Sequence, residues 1–138
     1  MKKKHNIKKI LIVFFSIILS ITVLFLIGLK VKLNNFSEEI NRIKISNVDL
    51  SKVKDGIYIG EYYLNEDVGA KVRISVQNKT INSIDILEHK CGLGKKAENI
   101  ISDVKAEQSL NVDTVTGATG SSKVILKAIE RGLNKGIK

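Results

Sequence analysis

The sequence predicts an α+β domain, in which a small antiparallel sheet packs with two helices, behind one N-terminal transmembrane helix. Three observations carry this prediction: an uncharged apolar run near the N-terminus, short alternating segments in the middle, and helical periodicity at the end. We expect the sheet to be a meander of about three strands with one additional short strand. Residues 51–138 are enough for a single domain with a modest hydrophobic core.

Residues 10–29, ILIVFFSIILSITVLFLIGL, contain no charged side chain. A helix of about 20 residues crosses the hydrocarbon layer of a membrane. The alternative is a cleaved secretory signal, which also begins with positive charge. However, this run is longer than the apolar core of such signals, and no A-x-A-like cleavage site follows it. We therefore interpret the segment as an uncleaved transmembrane anchor.

The formal net charge of +9 is concentrated around this anchor. Seven lysines and no acidic residues occur in residues 1–32, whereas basic and acidic side chains nearly balance in the rest. Five of the lysines precede the apolar run and two follow it. The positive-inside bias therefore predicts a single-pass cell-membrane protein, with a cytoplasmic basic tail (residues 1–9) and an extracytoplasmic C-terminal domain, as in bacteria. Nucleic acid is not an expected partner, because the outer part has no basic helix or aromatic–basic interleaving.

Metal-ligating side chains are scarce in this sequence. It has one cysteine, Cys91, and two histidines, His5 and His89, without the spacing of a metal site. We expect neither a metal site nor an internal disulfide.

Residues 30–50 are predicted to form a juxtamembrane stalk. Leu33, Phe36, Ile40 and Ile43 recur at helical spacing there. A solvated spacer helix and a helix that pairs with a second copy both agree with this stripe.

Three segments of the globular part have the composition of strands. The first, IYIGEYY (residues 57–63), follows a turn signal at Asp55 and Gly56. The second, AKVRISV (residues 70–76), alternates strictly between apolar and polar side chains. The turn QNKT separates it from the third, INSIDILEH (residues 81–89), so these two segments predict an antiparallel hairpin.

The rest of the domain has helical period. In KKAENIISDVKAEQ (residues 95–108), apolar side chains form one face of a helix. SLNVD (residues 109–113) follows as the short extended piece. SSKVILKAIERGLNKGIK (residues 121–138) is the clearest helix, with Ser121 or Thr119 as the expected N-cap.

Hydroxyl side chains cluster before this last helix, in DTVTGATGSS (residues 113–122). The segment lacks the G-x-x-x-x-G-K-[ST] spacing of a triphosphate-binding loop. The sequence also gives no sign that a histidine converges on it as the base for a nucleophile. What remains is a hydroxyl at a helix N-terminus, where free backbone N–H groups and the helix dipole favour an attached phosphate.

Residues 113–119, DTVTGAT, fit the pattern D-x-x-[ST]-G-A-[ST]. This resembles the flavinylation motif of the FMN-binding domain family, which includes the FMN-carrying subunits of sodium-pumping NADH:quinone oxidoreductase and of Rnf-type complexes. The similarity covers about residues 54–133, through KDGIYIGEYY, VRISVQNKTINSIDILEHK and EQSLNVDTVTGATGSSKVILKAIERGL. The chain is similar to the small, membrane-anchored, single-domain members.

The resemblance implies a covalent FMN, joined by a phosphoester to Thr119. A flavin transferase that uses FAD as the FMN donor is then the expected partner. An outside enzyme also agrees with the weak nucleophilicity of an unactivated threonine hydroxyl.

The other motif positions receive supporting roles from the resemblance. Asp113 and Thr116 would present the acceptor, while Gly117 and Ala118 would allow the flavin and the transferase to come close. The helix that follows offers candidate donors to the phosphate, namely Ser121, Ser122 and Lys123.

The segment HKCGLGKKA (residues 89–97) departs from the acidic, proline-containing loop that small members often have. Cys91 is interpreted as a small neutral replacement rather than a redox partner. Two interpretations of His89 stay open: a loop histidine bonded to nearby backbone, or a cofactor-binding histidine that modulates flavin protonation. Tyr58, Tyr62 and Tyr63 are expected to pack within the sheet rather than to stack on the flavin.

Together these features predict a membrane-anchored, extracytoplasmic flavoprotein. Its FMN would pass electrons between membrane donors and an external acceptor or redox protein. The alternative is a membrane-tethered binding or scaffold module with reversible or no flavin. Because the sequence shows no nicotinamide-binding fingerprint, an electron-transfer subunit is favoured over an independent enzyme, and no catalytic residue is assigned.

Overall fold

The computed structural model describes residues 2–92 and 94–137, with the backbone alone for residues 2–5. The chain forms two compact units, Met1–Glu38 and Glu39–Lys138. Its helices are α1 (Lys2–Arg42), α2 (Ile100–Glu107) and α3 (Thr119–Asn134), and its strands are β1 (Gly56–Tyr63), β2 (Gly69–Gln77) and β3 (Thr80–Lys90). Two 3-10 helices, Leu50–Lys52 and Lys95–Asn99, complete the fold. The predicted α+β class is confirmed.

The described residues of the first unit are all part of helix α1. This helix contains one stretch that is long and apolar enough to cross a membrane. Its large apolar side chains are exposed, Phe25 by 71%. The core helix of a soluble protein would bury such side chains. The hydroxyls of Ser16, Ser20 and Thr22 donate to carbonyl oxygens one turn earlier, so these groups do not require water. α1 is therefore a candidate membrane span.

The three strands form an antiparallel sheet in the order β1-β2-β3. Val72, Ile74 and Val76 of β2 point into the core and are almost completely buried, whereas Arg73 between them is exposed. This is the alternation that the sequence predicts, and the strand order places β2 at the centre of the sheet.

Asn78 and Lys79 form the tight turn between β2 and β3, with φ values of 52° and 58°. Positive φ at both central residues is typical of the two-residue turn that matches the twist of a hairpin. The Asp55 carboxylate accepts hydrogen bonds from the backbone N–H groups of Asn78, at 2.9 Å, and Lys79, at 3.2 Å. These bonds favour the charged carboxylate and lower the pKa of Asp55.

α3 covers the inner faces of β1 and β2, and α2 packs on β3. The backbones of α3 and β1 meet at two glycines. A Cβ atom added to Gly132 would lie 2.5 Å from Ile74 Cδ1, and one added to Gly60 would overlap the carbonyl oxygen of Ala128. The absence of side chains at these positions lets the helix lie close to the sheet.

Two cations, Arg131 of α3 and Lys135 just after the helix, cover part of the outer edge of β1. Lys135 Nζ donates to the carbonyl oxygen of Ile59 at 2.7 Å, and Arg131 donates to that of Glu61 at 3.4 Å. Edge carbonyls that would otherwise be free to pair with another strand are thereby occupied.

The short strand expected at residues 109–113 does not form a ladder among the described residues. Gln108, which ends α2 with a φ of 51°, instead sends its side-chain amide to the edge of β3. Its Oε1 accepts from the N–H of Ile81 at 2.7 Å, and its Nε2 donates to the carbonyl oxygen of Ile81 at 3.1 Å. The Gln108 side chain thus makes the two backbone hydrogen bonds at Ile81 that a fourth strand would otherwise make.

The apolar residues of the predicted stalk differ in their exposure. Leu33 is 60% exposed, whereas Ile40 and Ile43 are 5% and 7% exposed and belong to the core of the second unit. The end of α1 is therefore integrated into the globular core.

α3 also binds the segment that follows α1. Lys127 Nζ donates to the carbonyl oxygen of Lys44 at 2.8 Å and pairs with the buried Glu130 carboxylate at 2.9 Å. Glu130 in turn accepts the backbone N–H of Ser46 at 3.1 Å. This network joins residues that are more than 80 positions apart in the chain.

We predict that Gly60→Ala destabilises the domain, because the new methyl group meets the backbone carbonyl of Ala128, which cannot turn aside. The expected loss in free energy of unfolding is about 1–3 kcal/mol. Urea unfolding of the full chain in detergent, followed by near-ultraviolet circular dichroism, measures it. Gly56→Ala is the control, because its methyl group would meet only the tip of the Tyr58 side chain, 3.3 Å away. Equal effects of the two substitutions would contradict the role of Gly60.

Candidate functional site

Thr119 is the first residue of α3, and its side chain is exposed. The helix begins one residue before the start that a Thr119 cap predicts and three residues before the start that a Ser121 cap predicts. Neither Thr119 nor Ser121 is therefore the N-cap; the cap is Ala118, whose side chain cannot bond to the helix. Since the first turn of an α-helix has backbone N–H groups without partners in the helix, this end of α3 is positive and uncapped.

A tight turn leads into the helix. The N–H of Ala118 donates to the carbonyl oxygen of Val115 at 2.9 Å, and Gly117 has a φ of 73°. A positive φ at the third position of such a turn favours glycine. Thr116 and Gly117 at the crest are exposed, so the motif projects into solvent just before Thr119.

Ser122 holds this turn from below. Its side chain is fully buried, and its Oγ accepts the backbone N–H of Val115 at 3.1 Å. Ser121 is also buried and packs against Gly94, where an added methyl group would overlap its Oγ. The two serines lie under the loop, and Asp113 is exposed at its start.

The cation beside the motif is Lys96, which the sequence analysis missed. Lys96 Nζ lies 3.0 Å from the position that a Cβ of residue 117 would take. Lys123, the cation that the sequence offers as a phosphate donor, instead donates to the carbonyl oxygen of Ile40 at 3.2 Å. The only sign of Lys96 in the sequence is that a pair of lysines follows Gly94. Which of the two lysines reaches the motif at Gly117 depends on packing and not on spacing along the chain.

His89 lies at the end of β3 with only 3% of its side chain exposed. Its Nδ1 is 2.9 Å from Glu98 Oε1, so its partner is a carboxylate rather than nearby backbone. Its Nε2 is buried and has no hydrogen-bond partner among the described residues. A buried polar atom without a partner is costly, so this nitrogen is suited to a water or a ligand group.

The 3-10 helix Lys95–Asn99 connects these features. Lys96 lies at the motif, Glu98 bonds to His89, and Ala97 between them is fully buried. The tight turn before the helix, closed by the N–H of Gly94 and the carbonyl oxygen of Cys91 at 2.7 Å, brings the loop against α3.

The three tyrosines have partners within the domain. The Tyr58 hydroxyl donates to a backbone carbonyl four residues earlier, and the Tyr62 ring lies 4.7 Å from the Arg131 guanidinium carbon. Tyr63 donates to Glu88 at 2.9 Å, and this hydrogen bond raises the pKa of Tyr63. These contacts agree with packing rather than flavin stacking.

An open cleft of about 450 Å³ is lined by Ser51, Lys52, Val53, Lys54, Asp55, Asn78 and Lys79. None of the motif residues lines this cleft. The motif is defined by an exposed hydroxyl, free backbone amides and a nearby cation, and these features require no enclosed cavity.

A family model described as FMN-binding domain matches residues 64–134, about half of the chain. The match includes the motif, His89 and the 3-10 helix that carries Lys96. No curated protein matches the chain.

We predict that Ser122→Ala loosens the motif, because it leaves the N–H of Val115 without its acceptor. The expected loss in free energy of unfolding is about 1–2 kcal/mol. Hydrogen exchange should also become faster at the Val115 amide. Ser121→Ala is the matched control, since no hydrogen bond of the Ser121 hydroxyl to another described residue is present. If both variants exchange alike at Val115, Ser122 does not hold the turn.

Proposed function

The chain belongs to the FMN-binding domain family, and from this we infer that FMN is attached to Thr119 through a phosphoester bond. The observation that carries the proposal is the position of Thr119, an exposed hydroxyl at the first residue of an uncapped helix. A phosphate there is next to the free amides of the first turn and to the positive end of the helix dipole.

The attachment reaction needs an external flavin transferase with FAD. The Thr119 oxygen attacks the phosphorus on the flavin side of the FAD pyrophosphate. The bond from that phosphorus to the bridging oxygen breaks, AMP leaves, and the hydroxyl proton passes to a base of the transferase. No described side chain hydrogen-bonds to the Thr119 hydroxyl, which supports an activating base outside this chain.

The residues around Thr119 suit this reaction. Asp113 and Thr116 are exposed, so a visiting enzyme can contact them. Gly117 and Ala118 have little or no side chain to obstruct it. Ser122 holds the loop that presents Thr119, and Ser121 packs under the same turn.

His89 joins the proposed cofactor-binding residues because its buried Nε2 has no hydrogen-bond partner in residues 2–92 and 94–137. Glu98 fixes the ring through Nδ1, which leaves Nε2 as the nitrogen able to exchange a hydrogen bond with a bound group.

FMN supplies one- and two-electron transfer when bound. We propose that the loaded domain carries electrons between a membrane donor and an external acceptor or redox protein. The lysine excess before the candidate span supports an extracytoplasmic position for the domain. A covalent bond would keep the cofactor with a protein in a compartment that does not synthesise it.

We predict that the full chain, co-expressed with a flavin transferase, gains the mass of one FMN minus water. Thr119→Ala should abolish this gain because it removes the acceptor oxygen, and intact-mass spectrometry measures it. Thr114→Ala is the matched control, since it removes a hydroxyl of the same loop and should keep the flavin. An unmodified wild type would exclude the attachment and leave the scaffold module as the better account, whereas FMN mass retained by Thr119→Ala would place the attachment on another residue.

We predict that a C-terminal alkaline phosphatase fusion is active in bacterial cells and that a C-terminal green fluorescent protein fusion is dark. Both results follow if the lysines before the span hold the N-terminus in the cytoplasm. As a control, replacing the five lysines that precede the span with glutamate should weaken phosphatase activity. The reverse pattern for the wild type would place the domain in the cytoplasm and contradict the proposal.

A further inference from the structure

Lys96 contacts the motif where the motif has no side chain. Its Nζ and Cε lie 3.0 Å and 3.5 Å from the position of an added Cβ at Gly117. With a φ of 73°, Gly117 is also at a backbone conformation that other residues rarely adopt. The glycine therefore leaves room for an ammonium group two residues before Thr119.

The 3-10 helix that carries Lys96 is held on both sides. Ala97 is fully buried, and Glu98 bonds to the buried His89 ring at 2.9 Å. Just before the helix, the Gly94 backbone packs against Ser121 of α3. The base of the Lys96 side chain is thus fixed relative to the first turn of α3.

The Lys96 ammonium has no counter-charge in the part of the chain that the structure describes. The nearest acid along the chain, Glu98, is bonded to His89. In contrast, Lys123 donates to the carbonyl oxygen of Ile40 in the last turn of α1, and Lys127 donates to that of Lys44 just after α1. Lys96 lies at Gly117, two residues before the uncapped helix end at Thr119, so two positive features fall within the motif, an arrangement that an anion stabilises.

We propose that Lys96 is the cation that pairs with the phosphate of FMN on Thr119. This inference rests on the proposed attachment site. A phosphodiester between flavin and threonine keeps one negative charge, which one ammonium group neutralises. The same ammonium would attract the FAD pyrophosphate before the transfer and would therefore speed the loading of the domain.

The test uses the full chain in a phosphorus-free detergent, with purified transferase and FAD. Lys96→Met should slow FMN loading by about twofold to fivefold, the range for one exposed charge-assisted contact. In loaded protein, the ³¹P resonance of the phosphodiester should move in Lys96→Met. In wild type that resonance should shift with salt, because salt screens the ion pair, and this dependence should disappear in the variant.

Lys95→Met is the matched control, since it removes an exposed lysine from the same 3-10 helix and should behave like wild type in both measurements. Lys96→Arg should restore both, because it keeps the charge. The inference is overturned if Lys96→Met matches Lys95→Met, if only the loading rate changes, or if Lys96→Arg is as impaired as Lys96→Met. A wild type that gains no FMN mass on Thr119 would instead refute the attachment site itself.

Discussion

The packing of α3 against the sheet is the constraint on which the rest of the domain depends. Gly60 and Gly132 let the helix backbone approach β1, and the apolar face that contains Ile125 and Ile129 is fully buried. The buried face fixes the rotation of the helix, and the glycine contact fixes its distance from the sheet. Together, the rotation of the helix and its distance from the sheet determine where its first residue, Thr119, is exposed to solvent. The packing of the middle and C-terminal part of α3 thus determines the position of the Thr119 hydroxyl at its N-terminus.

The motif is a small assembly built around this helix end. Gly117 supplies the turn, Ser122 bonds it from below, and the 3-10 helix places Lys96 beside it. Each part has a separate physical cause: a positive φ, a buried hydrogen bond and a side-chain contact. The short motif in the sequence contains the proposed acceptor, Thr119, but Lys96, which lies beside the motif, comes from a segment 23 residues earlier in the chain (119 − 96).

Much of the fold could be predicted from the sequence because its signals are local. The alternation in AKVRISV and the turn QNKT place β2 and β3 within one residue of their observed bounds. The predicted start of α3 was one to three residues late, because Ala118 has no capping signal and the turn before the helix is held by a side-chain hydrogen bond, from Val115 N–H to Ser122 Oγ. The extra strand was wrong because a side chain, Gln108, takes its hydrogen bonds. Lys96 and the pairing of His89 with Glu98 depend on tertiary packing, which spacing along the chain does not encode.

The covered sheet edges have a consequence for a chain anchored as proposed. Anchoring in a membrane confines copies to two dimensions and so raises the frequency at which neighbouring domains collide. An open strand edge is then a template for fusing two domains into one continuous sheet. Arg131 and Lys135 bind two carbonyl oxygens of β1, those of Glu61 and Ile59, and Gln108 binds the backbone of one residue of β3. These three side chains favour domains that meet and separate again without fusing their sheets.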